Sequence, residues 1–201
     1  MAYKYFKWKT LKSEFGIERK RRNLFDQADI TLLPPSKLLV DILKRNALIP
    51  SATEKAMSEN TIYNVLAEVK INNQEQIGLL SGEILNADIK RKLNGEVDFL
   101  FMNVPTEPAL NAPIISITES KFKQPFDSSW EQATAQMVGA RVYNEKQGEP
   151  IDTIYGAVTD GNSWRFLLLE GSTIWIDLDL YSTNNLPLLL SIFQKVVDFY
   201  R

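Results

Sequence analysis

The most restrictive feature of this sequence is one apolar run, a long helix and a second apolar run, in that order. Pro113-Ile-Ile-Ser-Ile-Thr-Glu-Ser-Lys121 reads as a strand, apolar at first and charged at its end. The segment after it reads as a helix opened by a capping box, Ser128-Ser-Trp-Glu131, and ended near Lys146 or Gln147 by Gly148 and Pro150. Ile154–Thr159 reads as a short strand. A strand, a covering helix and a strand imply a parallel pair with a right-handed crossover. An all-helical or all-antiparallel fold is thereby excluded.

The rest of the chain arranges itself around that unit. Pro34-Pro35-Ser36 sets up a helix over about 37–46, with Leu38, Leu39, Ile42 and Leu43 on one face. Ala56, Ile62, Tyr63, Leu66 and Val69 predict a longer helix over about 52–69. Ile77–Leu85 and Val97–Val104 read as strands, joined by a polar segment with a turn signal at Asn94-Gly95. After Thr159, strands are expected at Trp164–Glu170 and Thr173–Tyr181, then a helix over about 187–201 beginning at Pro187. The expected class is mixed α/β: a mixed sheet flanked by helices, with extra antiparallel strands and a C-terminal helix. Residues 1–30 are expected to be a basic N-terminal arm, and 31–201 a single domain.

Composition narrows the chemistry. The 201 residues contain no cysteine and no histidine. Disulfides, thiol nucleophiles, Ser-His-Asp triads and Cys/His zinc sites are excluded. Catalysis would rest on carboxylates, Lys, Arg, Tyr, Ser/Thr or backbone groups, and a metal would be a hard cation taking oxygen ligands. Net charge is −2 but unevenly spread. Residues 1–22 hold eight basic and two acidic side chains, the remainder fifteen and twenty-three. Lys20, Arg21 and Arg22 in the arm read either as solubilising charge or as phosphate contacts. No signal peptide and no membrane span is legible, so a cytoplasmic location is expected.

Acids at the ends of apolar strands are the best-placed chemical groups. Glu119 and Lys121, two apart on a strand, share a face. Asp98, on the preceding strand, can lie beside Glu119. Two carboxylates and a backbone carbonyl can hold Mg²⁺ or Mn²⁺, with a lysine beside the attacking water. An acid-x-Lys string alone says little, since Glu18, Glu68 and Asp88 begin three others. The fourth is set apart by the apolar strand it terminates and the Asp before it.

Asp98, Glu119-Ser-Lys121 and a following helix carrying Gln132 resemble the PD-(D/E)XK nuclease superfamily, which has a restriction-endonuclease-like fold. The family core of helix, three strands, helix and strand matches the order read over about 52–170. Ile154–Phe166 resembles the strand–turn–strand of small stand-alone bacterial members of unassigned function. Val97 stands where the formal motif has proline, and Gln136 where RecB-like members have tyrosine. The resemblance implies a Mg²⁺-dependent nuclease acting on nucleic acid, expectedly DNA. Asp98 and Glu119 would be metal ligands, Lys121 would serve the water and Gln132 would order the site. It also implies a first-helix acid, for which Glu59 is the candidate, with Glu54 and Glu68 as alternatives and Glu83 as a weaker metal candidate. Gln136 and Arg141 are candidate nucleic-acid contacts. A homodimer would suit a cutter of both strands. The alternative is an inactive nuclease-fold protein that binds nucleic acid or protein. Asp177 and Asp179 are expected to be structural, and Trp130, Trp164 and Trp175 to be packing residues.

Overall fold

A computed structural model describes residues 2–121 and 126–201, without the side chains of 126–128. Among the described residues, eight strands form one mixed sheet. These are β1 (Glu18–Arg22), β2 (Gly78–Asp88), β3 (Leu93–Met102), β4 (Ile114–Ser120), β5 (Thr153–Thr159), β6 (Ser163–Glu170), β7 (Thr173–Asp177) and β8 (Tyr181–Ser182). Their order is β1-β7-β6-β5-β4-β3-β2, with β8 also paired to β6. The β4/β5 and β1/β7 pairs are parallel and the others antiparallel. The expected parallel crossover is therefore present, and the class is mixed α/β.

Helices cover both faces. They are α1 (Trp8–Phe15), α2 (Lys37–Asn46), α3 (Glu54–Met57), α4 (Tyr63–Asn72), α5 (Phe126–Lys146) and α6 (Leu186–Asp198). One core packs α5 and the N-terminal segment against Leu100, Ile117, Val158, Leu167 and Ile176. The other packs α4 and α6 against Phe99, Phe101, Trp164 and Phe166, with Phe193 edge-on to the rings of Phe101, Trp164 and Phe166. Close approach of α5 depends on two glycines. A Cβ on Gly156 would meet Met137 Sδ at 2.6 Å, and one on Gly139 would meet the Tyr3 hydroxyl at 2.3 Å.

Several expectations are corrected. The N-terminal segment is built into the domain rather than set beside it: β1 is a strand of the sheet, and Tyr3, Phe6, Leu11 and Ile17 are core residues. Their apolar side chains are spaced among lysines, and the charge masked them. The 52–69 helix is α3 and α4 joined by a π-helical turn at Ser58–Ile62. Asn94-Gly95 is not the turn: those residues pair with Asn86 and Leu85, and the chain reverses at 89–92. Ser128 lies within α5 rather than capping it, and its side chain is outside the described residues. Glu131 accepts from the Trp8 N–H at 3.0 Å and pairs with Lys7 at 3.0 Å instead. The strand expected over Thr173–Tyr181 stops at Asp177, because Asp177 is wholly buried while Leu178 and Leu180 are exposed.

Candidate active site

The strand ends dictate what meets. β4 lies between antiparallel β3 and parallel β5, so the C-terminal end of β4 meets the N-terminal half of β3 and the C-terminal end of β5. Phe99 pairs with Thr118, and the same register carried one residue further sets Asp98 opposite Glu119. The Lys121 N–H donates to the Thr159 carbonyl, extending the β4/β5 pairing to the lysine itself.

Glu119 is 1% exposed. Its Oε2 accepts from the Gln136 side-chain amide at 2.7 Å, and its Oε1 is 2.5 Å from Lys121 Nζ. Asp98 Oδ2 accepts from both the backbone N–H and the hydroxyl of Ser120, at 2.7 and 2.6 Å. That fixes the Asp98 carboxylate by one oxygen. The Ser58 hydroxyl lies 3.3 Å from that of Ser120, tying the π-helical turn to the strand. Glu54, at the start of α3, is 3.9 Å from Lys121 Nζ.

Electrostatics follow from that crowding. Burial, then the Asp98 charge, push the Glu119 carboxyl up to about 8, although Lys121 and Gln136 pull the other way. Burial works against the Lys121 ammonium, but Glu119, Glu54 and Asp98 together outweigh it and raise its pKa. Both groups therefore hold on to protons, because the cluster carries more acid than one ammonium neutralises. Its donors are carboxylates, hydroxyls, a side-chain amide and backbone carbonyls, the set that suits a hard divalent cation. Among the described residues no three acids lie close enough together to hold one ion. A cation here would rest on Asp98 and Glu119, with a backbone carbonyl and water as further ligands.

The other named residues fall into place as follows. Gln132, one helical turn before Gln136, is half-buried on α5. Gln136 itself is fully buried and holds Glu119, a position closed to a bound polymer. Glu59 is exposed and pairs with Lys55, so the first-helix acid beside Lys121 is Glu54. Glu68 accepts from the N–H and hydroxyl of Ser36, anchoring α2 to α4. Glu83 lies on β2, in register with Val97 of β3. Arg141 donates to the Gly171 carbonyl at the opposite end of the sheet from Glu119. Lys20, Arg21 and Arg22 are exposed on β1. Ser120 and Ser58 were not legible as site residues, since an isolated serine carries no pattern.

No family model matches the chain, and no curated protein matches it significantly.

Proposed function

We propose that this protein is a Mg²⁺- or Mn²⁺-dependent nuclease that hydrolyses phosphodiester bonds of DNA, on a restriction-endonuclease-like core. The observation that carries the reading is Asp98 and Glu119 opposed on adjacent strands with Lys121 against Glu119. A bound divalent cation would supply Lewis-acid activation of the phosphate and a more acidic water. Asp98, held by Ser120, and Glu119, held by Gln136, would hold that cation. Lys121 holds its proton at Nζ and stabilises charge on the phosphoryl oxygens as the water attacks. Against its burial, Glu119 and then Glu54 keep that ammonium charged.

The second reading is an inactive nuclease-fold protein that binds nucleic acid or protein. It is favoured by the 2.5 Å contact between Lys121 and Glu119, which closes the site on itself. Incubation with plasmid, linear and single-stranded DNA under millimolar Mg²⁺ or Mn²⁺ separates the two. Cleavage that is lost with EDTA and in Asp98→Ala supports the nuclease. Absence of cleavage, or equal cleavage by Asp98→Ala, overturns it.

A further inference from the structure

β1 is an edge strand, and all five of its residues are exposed. Four consecutive cations occupy it: Arg19, Lys20, Arg21 and Arg22. An exposed edge with so many charges discourages pairing with another strand, but that leaves unexplained why the charges are so carefully held. Arg19 lies over the Trp8 ring at 5.0 Å, Arg21 over Trp130 at 5.0 Å and Arg22 over Trp175 at 4.2 Å. Lys20 also lies over Trp175, at 5.6 Å. Stacking fixes each cation without neutralising it, as an acid would. Among the described residues the acids paired with these cations are loosely placed: Glu18 is 3.9 Å from Lys20 and Glu170 is 3.9 Å from Arg22.

Strand geometry sets alternate cations about 7 Å apart on each side of β1. The track also points to the site. The parallel β1/β7 pair ends at Arg22, at the same end of the sheet as Lys121. Arg165 shares the Trp130 ring with Arg21, at 5.9 Å. Arg165 pairs with Val158, and Val158 with Glu119, so one row across the sheet joins them. Strand spacing puts Arg165 about 10 Å, and the β1 edge about 19 Å, from the β4 strand.

We infer that the β1 edge is the docking track for the phosphate backbone of duplex DNA, feeding the Asp98–Glu119–Lys121 end of the sheet. The inference rests on the proposed nuclease reading for its choice of polymer. Charge selects the surface: the remainder of the chain, with its excess of acids, repels a polyanion. Stacking selects the duplex. The three tryptophan faces are covered by cations, so they offer no platform for unstacked bases, whereas a duplex presents its phosphates outward.

The test is binding of a fluorescent mixed-sequence duplex in EDTA, where cleavage does not interfere, over a range of salt. The combined variant Arg19→Gln, Arg21→Gln, Arg22→Gln should bind about tenfold or more weaker. Its log–log salt slope should be shallower by about three. The corresponding triple lysine variant, which keeps the charge, should retain most of the parent's affinity. Single Lys20→Glu, at a side chain outside the core, should weaken binding even if the triple variant folds poorly. Lys121→Ala tests the site alone, through cleavage, so the two proposals can fail separately. Parent-level binding by the glutamine variant overturns the track, as does absence of duplex binding by the parent. A parent preference for single strands or for anionic vesicles overturns it too.

Discussion

Glu119 and Asp177 are both buried carboxylates at the same end of one sheet, and burial raises the pKa of each. Their partners differ. Asp177 accepts from the N–H groups of Leu24 and Asp179 and from the Tyr181 hydroxyl. All three donors are neutral, and each comes from a segment that the contact pins in place. Glu119 faces an ammonium, a second carboxylate and a side-chain amide. A buried acid ringed by neutral donors ties loops together. A buried acid facing charge of both signs is the one for which we propose a chemical role.

The comparison breaks most readily at Lys121. Lys121→Ala should lower DNA cleavage by about 100-fold or more, with the circular dichroism spectrum retained. Asp177→Asn, once folded, should cut at the parent's rate. Equal loss in both variants would erase the distinction. Proton linkage gives the next effect. Folded Glu119 binds its proton more tightly than the unfolded carboxyl does. Metal-free stability from Glu119 is therefore complete below about pH 4.5 and lost as pH rises toward about 8. Urea titrations should show a fall on the order of a few kcal/mol across that window. Glu119→Gln should flatten most of it, as should millimolar Mg²⁺. Asp177→Ala should cost about 3 kcal/mol at neutral pH, since it strands three donors, and addition of Mg²⁺ should not alter that cost. Gln136→Leu should cost about 1 kcal/mol and raise the Glu119 pKa further, as read by a shifted pH–stability curve. Glu59→Gln, at an exposed side chain, should change neither cleavage nor stability measurably.

What could be read from residues alone was whatever periodicity and strand order dictate. The crossover over 113–159 followed from two apolar runs about a long helix, and the Ser36 cap of α2 from the Pro-Pro-Ser string, which the Ser36 hydroxyl fulfils with the Leu39 N–H. Opposition of Asp98 and Glu119 followed from neighbouring strands. The choice between Glu54 and Glu59 did not, because helical spacing does not say which face of the first helix is turned toward the end of β4. Nor did the N-terminal strand, whose partner lies far along the chain and whose five residues, all polar, lack any apolar alternation. Gln136 looked like a surface contact because helical spacing cannot say that both faces of α5 are covered.

The pairing of β1 with β7 has a consequence for synthesis. The Leu24 N–H and the Asp177 carboxylate that receives it are 153 residues apart. Of the eight described strands β1 is made before the other seven, yet it cannot pair until β7 has followed it. Until then the four cations travel unpaired on the nascent chain, and their abundance keeps that waiting segment from pairing with a neighbour.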